Sequence, residues 1–539
     1  MKRNTLKKIA ALLLAVIIAA GTLSVCLCSA KSAVTPVIVV SGMGSFPLYL
    51  KNEKGAEKQV FGPAAADILS ALAKCVVPLG KNVVSNDYSD LSDITGAVYG
   101  IFDSIACNAD GSSKYSVYTK TFSKSVKNYP DDFEKNEQDD DEIGIVKGMI
   151  KEYGADNVYY FNYDWRLDPL DHADALAKLV NSVIKQKKCE KVTLVPASMG
   201  GCVVMSYIYK YGTDKLKNVV MAETAFQGAG IAGELFNKRL AVTTDTLLEY
   251  FYTFYQTDGF LYQTLLGMLA SVIDLGGVNV KATLDKFFRS VIETVKEPAY
   301  ADIILKSFGN MPGIWSLVPN SEYAAAKKAM FPKGMNKTLA AKTDKYQKYV
   351  QKKAKSLIDG GIKNGTEFRI VASYGFVGFP AVPTSLAQTD CLIETALESG
   401  GATCADRGKT LGDGYTAASP VCKNKKHNHL SGDGIIDAST CMYPEKTWFV
   451  KYNRHVGHKF GTEANDLIVW LAGQNGAVTV YTNDKYPQFT ALELFTGKLI
   501  SLTGKEVKNS SADKMSDITS RLAAFIKGII LYLKSLFTK

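Results

Sequence analysis

Residues 192–201 read VTLVPASMGG: an apolar, β-branched run breaks at a turn of small residues that holds one serine, and the helix-compatible stretch CVVMSYIYKY follows. A strand turning sharply into a helix at a serine presents a nucleophile. The bend exposes Oγ, and the next backbone N–H and the helix N-terminus face the reacting carbonyl. Ser198 is therefore the candidate nucleophile. The G-x-S-x-G pattern is met in part, with Pro196 in place of the first glycine and Ala197, Gly200 and Gly201 keeping the turn uncrowded. The competing role for such a serine is to cap the helix of an ordinary α/β unit.

An acyl-transfer serine needs a base within hydrogen-bond reach and an acid that fixes the base's tautomer, in the chain order serine, acid, histidine on this kind of scaffold. The chain has 5 histidines. His455, in NRHVGHKF directly after the strand-like TWFVKY, is the preferred base, with His458 as the alternative. For the acid, LGDGYTAASPVC offers Asp413 and SGDGIIDASTCM offers Asp433 and Asp437. Asp433 is preferred, because only a short segment and one strand separate it from His455; Asp413 and Asp437 stay open, and a turn-forming aspartate is the alternative role for each. Charge growing on the carbonyl oxygen calls for fixed donors, for which the Met199 N–H and the Met43 N–H of Gly42-Met43-Gly44 are the candidates.

These residues need a sheet to hold them. VTPVIVVSGMGSFP opens as a buried strand ending in a glycine-rich loop. Then come strand NVYYFNYDW, helix HADALAKLVNSVIKQ, strand KVTLVPA, the Ser198 turn, a helix, and strand NVVMAET, with EFRIVASYG and KTWFVKY later. Strands alternating with helices predict a parallel sheet with right-handed crossovers, an α/β fold whose ligands sit at the carboxyl ends of the strands. Residues 64–80 read as helix and 82–130 as an irregular insertion. The acidic cluster 131–142 reads as a solvated helix lead-in rather than a calcium loop. Residues 228–361, including LLEYFYTFYQ and LYQTLLGMLASVIDL, read as an inserted helical cap. The expected layout is a signal peptide at 1–30, core at 31–227, cap at 228–361, core again at 362–475, and an extension at 476–539.

With 539 residues, 47% of them hydrophobic, the chain can bury a large core and is not a disordered protein. A net charge of +10 arises from lysines spread along the chain, so no nucleic-acid partner is expected. Lys2, Arg3, Lys7 and Lys8, an apolar run over 9–25, and Cys28-Ser29-Ala30 predict a cleaved export signal and a secreted or cell-surface location. Its removal leaves Cys75, Cys107, Cys189, Cys202, Cys391, Cys404, Cys422 and Cys441, an even set in an oxidising compartment, which predicts disulfides. The last four crowd together with His427 and His429, but without C-x-x-C spacing disulfides are favoured over zinc, and neither metal nor cofactor is expected. The tail ITSRLAAFIKGIILYLKSLFTK places Arg521, Lys527 and Lys534 on one face of an apolar helix. Its two readings are peripheral membrane contact and docking on the domain.

Four landmarks give the sequence its resemblance to the lecithin:cholesterol acyltransferase family: PVIVVSGMGS, YDWRLDP at 163–169, the ASMGG elbow, and GDG followed by a strand and histidine. The resemblance spans residues 34–62, 158–235 and 366–475. It implies an α/β-hydrolase fold, Ser198, Asp433 and His455 as triad, and a lipid acyl ester as substrate. Departures are Pro196 at the elbow glycine, Ala197 where histidine is common, and Ile435-Ile436 for the usual Thr-Val. The function expected is an exported serine-dependent lipid acyl-ester hydrolase or O-acyltransferase, phospholipase A or lipase-like. The alternatives are a non-catalytic membrane- or wall-binding protein on the same scaffold and a serine peptidase.

Overall fold

The structure, a computed structural model, describes residues 34–51, 57–61, 102–138, 141–243, 299–493 and 496–502, with single positions 55, 246, 250, 289, 293 and 297. The apolar runs form the strands the pattern calls for. In chain order they are β1 Val37–Val40, β2 Leu48–Lys51, β3 Glu57–Phe61, β4 Val117–Thr119, β5 Val158–Phe161, β6 Val192–Pro196, β7 Leu216–Ala222, β8 Glu367–Tyr374, β9 Thr403–Cys404, β10 Ile436–Asp437, β11 Thr447–Lys451, β12 Phe489–Leu492 and β13 Leu499–Ser501.

Eight of these join one sheet in the order β13-β12-β11-β8-β7-β6-β1-β5. All neighbours are parallel except the β12–β13 pair at the edge. From β1 the chain moves outward to β5, then returns to β6 on the other side of β1. The strand order therefore reverses between β1 and β6, where loops diverge and leave a crevice at the carboxyl edge.

Both faces of the sheet are covered, which is why its strands are apolar throughout rather than alternating. Val37, Val39, Val195 and Val220 pack on α1 (Asp141–Tyr153) and on the late helix Glu463–Gly473. Ile38, Val40, Leu194 and Met221 point the other way, onto α2 (Pro169–Lys187) and α3 (Gly200–Tyr211). Local chemistry sets the start of α2: Asp168 caps it through the Leu170 N–H, Pro169 fills the first helical position, and Lys188 ends it in a left-handed conformation. This is the α/β-hydrolase arrangement expected from the sequence.

In the segment read as a cap, the described part is helical, with helices at Gly230–Phe236, Pro312–Leu317, Asn320–Met330, Lys337–Tyr349 and Ala354–Lys363. Trp315 packs edge-on against Phe236 and Tyr323. Gln347 and Gln351 donate to the carbonyls of Trp315, Ser316 and Val318, satisfying a buried helix end. The export signal, the 64–80 helix, nearly all of LLEYFYTFYQ, LYQTLLGMLASVIDL and the basic tail lie outside the described residues. Among the described residues no helix is long and apolar enough to cross a membrane.

Among the described residues, which leave out Cys75, the cysteines correct one expectation. Cys107, Cys189, Cys202, Cys391, Cys404, Cys422 and Cys441 are all free thiols. An even count permits disulfides but does not bring the sulfurs together, and several of these have other partners. Cys202 faces the Ala225 carbonyl, Cys441 the Thr447 hydroxyl and Cys422 the His427 ring.

Candidate active site

Ser198 follows β6 at a left-handed φ of 50°, the strained bend by which an elbow turns the hydroxyl out of the sheet. Its amide donates to Ala222 O, and its carbonyl accepts from Ala225 and Gly201, so both flanks hold the strained residue in place. Close approach explains the glycine after Met199. A Cβ on Gly200 would lie 2.5 Å from Val40 O and 2.8 Å from Ser41 O, inside contact distance of the β1 backbone. Pro196 replaces the usual glycine without breaking the ladder, because the next amide, Ala197 N–H, makes the bond to Val40 O.

His455 lies beyond β11, and its Nε2 stands 2.8 Å from Ser198 Oγ. Its Nδ1 lies 2.5 Å from Asp390 Oδ2, not from Asp433. Asp390 belongs to the same long connection between β8 and β11 as the three aspartates considered from the sequence, and it is fully buried. An Asx turn fixes it: Oδ1 accepts from Leu392 N–H and Ile393 N–H at 2.9 and 2.7 Å, while its carbonyl accepts the His455 N–H. Burial by itself would push the imidazole pKa down. The Asp390 charge and hydrogen bond outweigh it and lift His455 to about 9. Burial likewise raises the Asp390 carboxyl, and the facing imidazole more than reverses this, so the acid is held below its ordinary range.

Behind Asp390 lies a second carboxyl that sequence reasoning missed. Glu398 is fully buried, and its Oε2 accepts the Ser373 N–H at 2.8 Å. Burial and the Asp390 charge push its pKa well up, and one of its carboxylate oxygens lies within 4.8 Å of an Asp390 oxygen and a His455 ring nitrogen. The hydrogen-bonded relay thus runs Asp390–His455–Ser198, with Glu398 packed close to the acid. The stability signature of Glu398 has a definite sign. Unfolded, the carboxyl ionises near its ordinary 4.5; folded, it stays protonated well above that. Raising pH above the ordinary carboxylate range therefore destabilises the wild type relative to Glu398→Gln. Urea unfolding at pH 5 and pH 7 measures this, and parallel stability curves would remove the proton from Glu398.

At the mouth of the elbow, the Gly42 N–H is already committed to Glu142 Oε1 at 2.7 Å. A Cβ at Gly42 would stand 2.8 Å from Ser198 Cβ, so only glycine lets this loop close over the nucleophile. The Met43 and Met199 amides, the two oxyanion candidates, donate to no acceptor among the described residues. Met199 is fully buried at the N-terminus of α3, where the helix dipole adds to its donor.

The other candidates are occupied elsewhere. Asp433 Oδ2 pairs with Lys451 Nζ at 2.9 Å and accepts from Tyr374 Oη at 3.1 Å, a buried ion pair rather than the triad acid. Asp437 caps the turn at Ser439 N–H and accepts from Tyr415, and Asp413 is exposed. His458 is buried against Glu223 Oε2 and Ala464 O, away from the base position. In YDWR, Arg166 grips Asp164 through two nitrogens and reaches Ile105 O and Ser113 Oγ, pinning the irregular segment to the loop after β5.

No family model matches the chain, and no curated protein does. Among solved structures it is similar to the Tle4–Tli4 complex, at 14% identity over 38% of this chain and 48% of that one, with a TM-score of 0.19. It is also similar to Est816, described as an N-acyl homoserine lactone degrading enzyme, at 14% identity over 47% and 71% with a TM-score of 0.17. A thermophilic esterase from Thermogutta terrifontis follows at 18% identity over 36% and 62%, with a TM-score of 0.15. The chain spans about half the length of the first of these. Such distant likenesses carry no assignment, and the fold stands on strand order and the elbow.

Proposed function

We propose that this protein is a serine-dependent acyl-ester hydrolase or O-acyltransferase acting on lipids through an acyl-serine intermediate. The observation that carries the reading is the 2.8 Å approach of His455 Nε2 to Ser198 Oγ, with Asp390 behind the ring. Ser198 Oγ attacks the ester carbonyl as His455 takes its proton. The Met43 and Met199 amides hold the oxyanion, and His455 then protonates the departing alcohol. Water releases the fatty acid, whereas a bound lipid alcohol takes the acyl group instead. The lipid substrate rests on the four family landmarks in the sequence. Export rests on the N-terminal segment, and peripheral membrane contact on the basic amphipathic tail.

A fluorophosphonate probe is expected to label the full chain on the peptide carrying Ser198, and Ser198→Ala is expected to lose both labelling and fatty-acid release from phosphatidylcholine vesicles. Undiminished release by that variant would overturn the serine mechanism. Turnover confined to short water-soluble esters would remove the lipid substrate and leave the serine mechanism standing.

A further inference from the structure

In the long connection between β8 and β11, three ligand-type side chains converge: Cys422, His427 and His429 place one ligand atom each within 4.8 Å of one another. His429 is the informative member. Its Nδ1 lies 2.7 Å from Gln488 Oε1, and the Gln488 amide nitrogen donates to Pro444 O and Thr447 O. An amide whose nitrogen is committed to two carbonyls can offer the ring only its oxygen, so Nδ1 carries the proton and Nε2 a bare lone pair. That Nε2 is buried, on a side chain in a residue only 4% exposed, and has no hydrogen-bond partner. A buried, tautomer-locked acceptor facing a thiol and a second imidazole is how a metal-ligating histidine is prepared, with Gln488 as its orienting partner.

The neighbours complete a donor set. His427 Nδ1 stands 3.7 Å from Cys422 Sγ and 3.1 Å from Glu445 Oε1. On a tetrahedral zinc with bonds of about 2.0–2.3 Å, ligand atoms sit about 3.3–3.8 Å apart, so the three ligand atoms, all within 4.8 Å of one another, must draw in and Glu445, which lies against His427 alone, must swing toward them. We propose that Cys422, His427 and His429 bind a zinc ion, with the Glu445 carboxylate as fourth ligand. One thiolate, two imidazoles and a carboxylate suit zinc over the hard cations, which favour all-oxygen sites. Binding releases the Cys422 proton. It also leaves the His427 proton on Nε2, so the Asn424 amide nitrogen, 2.9 Å away, must turn its oxygen to that proton. The ion would join the 422–429 loop to the turn at Pro444–Lys446, with Gln488 linking it to the segment leading into β12. With all four positions filled by protein, the site is structural.

The test uses the full chain, purified without a histidine tag, stripped of metal and confirmed folded by circular dichroism. Titration with zinc alone is expected to give one ion per chain by mass spectrometry. Cobalt loading is expected to give the intense visible bands of tetrahedral coordination and a sulfur-to-cobalt charge-transfer band. Cys422→Ser should lose that band, His429→Ala should cut zinc retention at least tenfold, and Gln488→Leu should weaken affinity about 10–100-fold. Cys404→Ser should change nothing. A folded wild type that takes up no zinc, or undiminished retention in the Cys422→Ser/His429→Ala double variant, would overturn the site. Should the variants misfold, the wild-type stoichiometry and cobalt spectrum decide alone.

Discussion

Asp390→Asn is expected to lower kcat for ester hydrolysis about 10⁴-fold while leaving the chain folded. The acid's task is to accept the Nδ1–H of His455, which leaves a bare Nε2 lone pair 2.8 Å from Ser198 Oγ. An asparagine keeps its oxygen on the Leu392 and Ile393 amides, which already fix Oδ1, and therefore turns its nitrogen toward the ring. The imidazole then protonates on Nε2 and offers the serine a donor where it needs a base. A second consequence concerns pH. The Asp390 charge is what raises His455 to about 9 against burial, so the wild-type acid limb should lie well above 6.5. Residual activity of the variant should show that limb at lower pH, since burial acts without its counterweight. Profiles of kcat/KM from pH 5 to 10 measure both effects. A variant within tenfold of the wild type would take Asp390 out of the relay.

The elbow and the base were legible because each sits at the end of a strongly patterned strand. β6 and β11 are apolar runs whose ends the sequence marks, and a serine or histidine just beyond such an end must lie at the carboxyl edge of the sheet. The acid was not legible, because the order serine, acid, histidine restricts it only to the 375–446 connection, where Asp390, Asp413, Asp433 and Asp437 all qualify. Two GDG turns drew the choice to Asp433. A local signal did distinguish Asp390: it precedes Cys391-Leu392-Ile393, an apolar run in which an aspartate has to be buried and therefore bonded, whereas Asp413 and Asp433 are flanked by turn glycines. Glu398 was further from reach. Nothing in the sequence says that a second carboxyl will share the first one's pocket. The same limit applied to the cysteines, whose count is a property of composition and whose pairing is one of geometry.

If Asp433 is the partner of Lys451 rather than of His455, its removal should be felt in stability and not in turnover. The two side chains are only 3% and 6% exposed, and Lys451 belongs to β11, the strand that leads to the base. Asp433→Ala leaves an ammonium in the protein interior with the Tyr374 and Tyr452 rings beside it but no counter-charge, a change expected to cost about 3–5 kcal/mol. That is a third or more of the stability of many domains, so the urea midpoint should fall steeply with little change in slope. Adding Lys451→Met should recover much of the loss, because the penalty lies in the unpaired charge rather than in the missing bond. Turnover of the folded fraction should stay within a few-fold of the wild type, since Ser198, His455 and Asp390 keep their contacts. The opposite pattern, full stability with turnover lowered about 10⁴-fold, is what a triad acid would give, so one variant measured both ways separates the two roles.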